Sequence, residues 1–150
     1  MMDDLQQLDD WLAPLLAKLT PAKRRTLARE IARDLRRRQQ QRIAAQQNPD
    51  GSSYVPRKPL LRDRKGQIRR RAMFGKIRQA SYLKAQATPD EASVGFSGRV
   101  ARIASVHQLG LRDRVRPDGP EHTYPQRRLL GLAPDEVEGL RDHILRFLSQ

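Results

Sequence analysis

Histidines and acidic pairs are the side chains of this sequence best suited to chemistry. The histidines are His107, His122 and His143, and the chain has no cysteine. Zinc sites are built from histidine and cysteine at short, recurring spacings, and these histidines show no such spacing. We therefore expect no metal and no cofactor. We interpret His107 as a packing residue of a core or interface, and His143 as a surface residue.

The acidic residues do not form a catalytic constellation. A turn at residues 50–53, Asp-Gly-Ser-Ser, superficially suggests a phosphate-binding loop but lacks the glycine-lysine pattern that such loops need. We expect no catalytic residue and no enzyme activity, and an enzyme such as a peptidoglycan hydrolase is a weak alternative. The acidic pairs fall near predicted helix starts, where they favour the helix dipole: Asp3 and Asp4, Asp9 and Asp10, and Asp135 and Glu136.

The formal net charge is +13, and its distribution is uneven. Residues 21–47 carry a net charge of +7 and residues 57–78 carry +9, whereas residues 1–20 carry −3. Such basic blocks attract nucleic acid or acidic protein surfaces. We predict that the block at 57–78 and the loop at 111–123 meet neighbouring subunits or DNA. The candidates are Arg57, Lys58, Arg62, Arg64, Lys65, Arg69, Arg70, Arg71, Arg112, Arg114 and Arg116.

The basic blocks have three interpretations: contact with protein partners, contact with DNA phosphates, or a solvated helix face. Nothing in the sequence resembles a helix-turn-helix, a zinc finger or an aromatic stacking platform. We favour protein contacts, and a small basic protein that binds DNA non-specifically is the alternative function. No apolar run approaches the ~20 residues that span a bilayer, so we expect no membrane partner.

Helices dominate both ends of the predicted fold. Apolar residues recur at three- and four-residue steps over residues 4–19, although Pro14 should kink or split this helix. Thr20 and Pro21 then begin a second helix that runs to about Gln46. Residues 100–109 form a short helix closed by Gly110, and residues 134–148 form the last helix.

Between these helices the sequence predicts a small sheet and exposed loops. Residues 82–87 and 92–97 flank a four-residue turn and read as a hairpin, while residues 124–132 offer a last strand. Residues 50–72 and 111–123 read as charged loops, and residues 73–77 as a short helix or a strand start. The fold class is therefore α+β, a small antiparallel sheet flanked by N-terminal helices and a C-terminal helix. The candidate core residues are Val106, Leu129, Leu130, Leu140 and Ile144.

Three stretches resemble one protein family in matching order. Residues 41–58 resemble R-I-x-x-Q-x-x-P-D-G-x-x-W/Y-x-P-R-K, residues 103–110 resemble I-A-x-V-H-Q-x-G, and residues 124–131 resemble Y-P-x-R-x-L-L-G. These patterns are typical of phage virion morphogenesis proteins, the S-type tail completion proteins of contractile-tailed phages. Leu109 stands where that family usually has an aromatic residue.

The length of 150 residues fits one domain, with a helical part at 1–47, a basic arm at 48–80, and a sheet with the last helix at 81–150. The resemblance implies that this domain is a structural protein. It implies a ring, commonly hexameric, that caps the head-proximal end of the tail and enables head–tail joining. The implied partners are copies of the chain itself, tail tube and sheath proteins, and neck or head-completion proteins. Non-specific contact with genomic DNA in the channel is a further expectation. Assembly is expected in the bacterial host cytoplasm, and the final location in the tail or neck of the virion.

Overall fold

Four helices make up most of the regular structure. The computed structural model describes residues 2–57 and 72–150. Its helices are α1 (Met2–Leu16), α2 (Pro21–Ala44), α3 (Val100–Leu109) and α4 (Pro134–Leu148). All four helix predictions are confirmed, with ends that differ by a few residues.

Helix α1 differs most from its predicted course. It continues through Pro14 without splitting and ends at Leu16 instead of Leu19. The backbone N–H groups of Lys18 and Leu19 bond carbonyls three residues back, at 3.3 and 3.0 Å, which is the tight turn typical of a fraying helix end. Thr20 then accepts a hydrogen bond from the Lys23 N–H at 3.2 Å, as expected of the residue that caps α2.

The strands form two separate two-stranded sheets. β1 (Leu83–Ala87) pairs with β2 (Ala92–Phe96), and β3 (Arg112–Arg114) pairs with β4 (Glu121–Thr123). The α+β class and the first hairpin are therefore confirmed. The second hairpin lies where we predicted a loop.

Two further sequence predictions are wrong. Residues 124–132 have no strand structure, because their backbone groups bond side chains and turns rather than a neighbouring strand. Residues 73–77 form consecutive turns, with the Arg78 N–H bonding the Phe74 carbonyl at 3.3 Å, and are neither helix nor strand. Of the predicted basic arm at 48–80, residues 58–71 lie outside the described residues.

The chain divides into two compact units, and each gathers separate stretches of sequence. Unit 1 comprises Met1–Arg37, Ala85–Val94 and Leu132–Gln150. Its buried apolar residues come from α1, α2 and α4. The side chains of His143 on α4 and Glu30 on α2 form a hydrogen bond of 3.0 Å. The buried set of unit 1 is Leu8, Leu27, Ala28, Ala32, Val137, Leu140 and Ile144.

Unit 2 comprises Arg38–Lys84 and Gly95–Gly131. It carries the three stretches that resemble the family, which we name the first (41–58), second (103–110) and third (124–131) motif. Its core joins residues that are far apart in sequence, because Ile43 at the end of α2 and Leu129 are both fully buried in one cluster. Phe74, Tyr82 and Phe96 pack against this cluster. The remaining members of the cluster are Tyr54, Met73, Ile77, Val100 and Ala104.

Candidate functional site

The first motif ends helix α2 and anchors the chain near Met73. Gln46 has a φ of 59°, a left-handed conformation common where a helix ends. Its side-chain amide donates to the Ile43 carbonyl at 2.8 Å and to the Met73 carbonyl at 2.9 Å. Its side-chain oxygen accepts from the Met73 N–H at 2.7 Å. One glutamine thereby closes the helix and fixes a segment 27 residues downstream.

The turn at residues 48–53 is structural. Asp50 accepts hydrogen bonds from the hydroxyl and the backbone N–H of Ser52, and these bonds hold the pKa of Asp50 below its usual value. Asn48 accepts from the Arg128 N–H at 2.8 Å, which links this turn to the third motif. The aspartate therefore stabilises a turn, and phosphate binding has no support here.

Gln108 of the second motif bonds most of the backbone groups of residues 129–130, which a neighbouring strand would bond in a sheet. Its side-chain oxygen accepts from the N–H groups of Leu129 and Leu130 at 2.8 and 3.0 Å. Its amide donates to the Leu130 carbonyl at 2.9 Å. Because buried backbone groups need partners, this single side chain lets an irregular segment cross the core of unit 2.

Arg127 of the third motif is a buried cation, with 5% of its surface exposed. Its guanidinium donates to the carbonyls of Val55 and Pro56 at 2.8 and 3.3 Å, and to Nδ1 of His107 at 3.2 Å. Since arginine only donates, the His107 ring must accept at Nδ1 and carry its proton on Nε2. Within the described ranges, no carboxylate pairs with Arg127.

Two glycines mark close approaches between the motifs. A Cβ at Gly131 would lie 2.5 Å from Cγ of Pro49, so any side chain there would displace the turn at residues 48–51. Gly110 ends α3 with a φ of 65°, and a Cβ there would lie 3.2 Å from the Gln126 nitrogen. The motif glycines thus permit backbone packing that another residue would block.

Aromatic rings form a continuous ladder beside Arg127. The ring centroids of Phe74 and His107 lie 4.8 Å apart, those of His107 and Tyr124 lie 4.9 Å apart, and those of Tyr124 and His122 lie 4.7 Å apart. Tyr54 begins the ladder at 5.7 Å from Phe74. All four contacts are edge-to-face, a favourable geometry for aromatic pairs. His107 is therefore a packing residue, as its sequence context indicated.

A cavity of about 900 Å³ opens along this ladder. Its apolar wall includes Val55, Met73 and Val115, and Arg57 and Arg127 supply positive charge. The strand β4 borders it with Glu121, His122 and Thr123. The three motifs therefore build one side of a cavity that combines apolar surface with cations.

Unit 2 is expected to lose stability as the pH falls from about 6.5 to about 4. Burial, with the charges of Arg127 and Arg57, lowers the pKa of His107 from 6.5 to about 4. Between these values the unfolded state binds a proton that the folded state does not, so acidification favours unfolding. Urea denaturation across this range should show the decline, and His107→Gln, which keeps an acceptor for Arg127 without titrating, should remove most of it. An identical pH dependence in both proteins would contradict the assignment.

The predicted interface residues occupy different environments. Arg57 borders the cavity, whereas Lys58, Arg62, Arg64, Lys65, Arg69, Arg70 and Arg71 lie outside the described residues. Arg112 and Arg114 lie on β3 and Arg116 lies in the following turn, and all three are exposed. Arg112 pairs with Glu121 across the hairpin at 2.8 Å. Their use as an interface remains a prediction.

The candidate core residues lie in both units. Val106 and Leu129 are buried in unit 2, where Leu130 is half-buried, and Leu140 and Ile144 are buried in unit 1. The residues that sequence reasoning missed are polar: Gln46, Gln108 and Arg127 received no individual role. Their only signal was their position inside the three motifs.

The described residues show neither a metal site nor a membrane-spanning helix. Among the described residues, no group of three histidine, cysteine, aspartate or glutamate side chains is placed to hold a metal ion. Within the same part of the chain, no helix combines the length and apolar character needed to cross a membrane.

Comparison with known proteins matches the whole chain. The sequence profile of the phage virion morphogenesis family matches residues 3–149. Tail completion protein S of Escherichia phage P2 is 38% identical over 151 aligned positions, which cover 99% of this chain and 100% of that protein. No solved structure matches. This chain is therefore a member of the phage virion morphogenesis family.

Proposed function

We propose that this protein is a structural tail completion protein of a contractile-tailed phage or a phage-derived tail. The observation that carries the proposal is the similarity to the P2 tail completion protein over the whole length of both chains. In this role the protein forms a homohexameric ring at the head-proximal end of the tail and enables head–tail joining. It performs no catalysis.

Exposed apolar side chains of unit 2 support contacts with neighbouring subunits. Leu109 is 63% exposed, Ile103 47% and Leu111 43%. Single exposed apolar residues are ordinary, whereas a contiguous apolar patch marks a site that a partner covers. These residues are where a subunit contact would bury apolar surface. Leu109, at the position where relatives usually carry an aromatic residue, is the strongest candidate for a subunit contact.

The proposed partners follow from the location. The ring would meet tail tube or sheath proteins on one side and neck or head-completion proteins on the other, and the genome would pass through its channel. Assembly would take place in the host cytoplasm, and the finished ring would lie in the tail or neck of the virion. The basic block at 57–78 would face neighbouring subunits or the DNA.

The purified protein is expected to form a ring of fixed stoichiometry without DNA. Native mass spectrometry should give the subunit number, and negative-stain imaging should show closed rings. Leu109→Asp should weaken the ring by placing a charge in an apolar contact, and it should leave the melting temperature of the monomer nearly unchanged. A monomeric wild-type protein, or a Leu109→Asp variant that assembles normally, would contradict the proposal.

One observation favours the alternative of non-specific DNA binding. Arg25, Arg29, Arg33 and Arg37 recur every four residues along α2, and all are exposed. Side chains at this spacing share one helix face, so they form a cationic stripe. Submicromolar DNA affinity at about 0.15 M salt with a steep salt dependence, in the absence of rings, would establish this alternative.

A further inference from the structure

The outer edge of strand β4 has the geometry to accept another strand. Arg112, Asp113 and Arg114 pair with Thr123, His122 and Glu121. The flanking hydrogen bonds join Tyr124 to Leu111 and Val115 to Pro120. Since backbone groups alternate in direction along an antiparallel strand, Glu121 and Thr123 direct their N–H and C=O groups away from β3. No other described strand pairs with that edge.

The cavity lies along this edge. Glu121, His122 and Thr123 border it, so a chain paired with β4 would direct alternate side chains into it. Its lining also includes Val55 and Phe74, and Val55 is 51% exposed. A strand at this position would therefore cover apolar surface as well as form backbone hydrogen bonds.

The charge of the cavity favours an anion. Arg127 is held in place by two carbonyls and a neutral imidazole, none of which neutralises it. Arg57 adds a second positive charge at the same cavity, close enough to lower the pKa of both Arg127 and His107. The carboxylate that borders the cavity, Glu121, is already paired with Arg112 at 2.8 Å. A bound carboxylate would supply the missing negative charge.

We propose that β4 and the adjoining cavity bind an extended segment of another virion protein, in which a carboxylate side chain is flanked by apolar residues. The segment pairs with the N–H and C=O groups of Glu121 and Thr123. Its carboxylate contacts Arg57 and the part of Arg127 that lines the cavity, and its apolar neighbours cover Val55 and Val115. This mode combines strand addition with a charged anchor.

A second copy of the chain fits this cavity less well than a different protein. In the described residues, carboxylates next to a large aliphatic residue or tryptophan all lie within helices α1, α2 and α4. Helical backbone does not present the alternating N–H and C=O groups that pair with a strand edge. Seven of the eight charged residues in 58–71 are basic, and Asp63 is the exception. The positive charge of this segment is therefore unfavourable beside Arg57 and Arg127.

The test uses the full chain and labelled peptides in solution. The probe is an extended peptide, Ser-Thr-Val-Asp-Val-Thr-Ser, and the control peptide has Asn in place of Asp. We expect fluorescence anisotropy to show at least about tenfold tighter binding of the Asp peptide, because its carboxylate forms charge-assisted hydrogen bonds. On binding, the backbone amides of Glu121 and Thr123 should exchange more slowly with solvent in NMR spectra.

Two variants separate the anchor from the strand edge. Arg57→Gln should weaken the Asp peptide about tenfold and leave the Asn peptide unchanged, while Arg114→Gln, an exposed cation outside the cavity, should change neither. Thr123→Pro removes an outward N–H that β3 does not use, so it should weaken both peptides and preserve the fold. Thr123→Val keeps that N–H and should bind both peptides normally.

Three results would overturn the proposal. The first is equal binding, or no binding, of the Asp and Asn peptides. The second is wild-type self-association that Thr123→Pro abolishes, which would make a second copy the occupant. The third is NMR contacts that place residues 58–71 in the cavity of the free protein. The inference depends on the proposed function in one respect, which is that the partner is taken to be a virion protein. Peptide binding is measured without rings or tails. A negative result would therefore leave the ring proposal standing.

Discussion

Val106→Asp is expected to unfold unit 2. Val106 is 7% exposed on helix α3, together with the buried residues Val100 and Ala104. The substitution removes buried apolar surface and places a carboxylate in the protein interior. The combined loss should be about 4 kcal/mol or more, a large part of the stability of a small domain. Urea denaturation followed by circular dichroism would measure it.

Ile103→Asp is the matched control for this prediction. Ile103 lies three residues earlier on the same helix and is 47% exposed. In the monomer its carboxylate would remain in water, so the free energy of unfolding of the monomer should change by less than about 1 kcal/mol. If both variants unfold at the same urea concentration, or if Val106→Asp retains wild-type stability, the placement of α3 is wrong.

Gln108→Ala is expected to lower the free energy of unfolding by about 3 kcal/mol. The variant leaves the N–H groups of Leu129 and Leu130 and the Leu130 carbonyl without their side-chain partner. Leu129 is fully buried, so water reaches its N–H poorly. Each unsatisfied buried group costs about 1–3 kcal/mol, and partial access of water to Leu130 reduces the total. Urea denaturation would measure this difference in the free energy of unfolding, provided that both proteins have the same m-value.

Two further variants define the origin of that loss. Gln41→Ala removes the same groups from an exposed position of α2, and its effect should stay below about 0.5 kcal/mol. Gln108→Glu keeps an acceptor for both N–H groups and loses the donor to Leu130, so its stability should lie between those of the wild type and Gln108→Ala. A Gln108→Ala protein as stable as Gln41→Ala would show that this network does not hold residues 129–130.

Local patterns predicted the elements whose hydrogen bonds are local. Helix α3 and its left-handed cap at Gly110 followed from residues within one short stretch, as did the start of α2 at Thr20 and Pro21. The first hairpin followed from its four-residue turn, where the Thr88 N–H bonds the Glu91 carbonyl at 2.8 Å. Each of these hydrogen bonds joins residues that are close in sequence, so the local sequence is enough to predict the element.

Predictions failed where distant side chains supply the partners. Residues 124–132 looked like a strand, but Asn48 and Gln108 bond their backbone from 80 and 21 residues away. The loop at 111–123 looked too charged for a sheet. Its charges instead form pairs, Arg112 with Glu121 at 2.8 Å and Asp113 with Arg102 at 2.7 Å. Charge content alone does not reveal such pairing.

By itself, the sequence determined the α+β class, the helices, the first hairpin and, through three motifs in matching order, the family. Only the tertiary structure decided what the motifs do. Gln46, Gln108 and Arg127 are ordinary polar residues in the sequence, and their roles arise when folding buries them beside backbone groups that need partners. Folding also places the charge of Arg127 beside a cavity at an open strand edge. The sequence could not show this, because burial and pairing depend on segments that meet only in the fold.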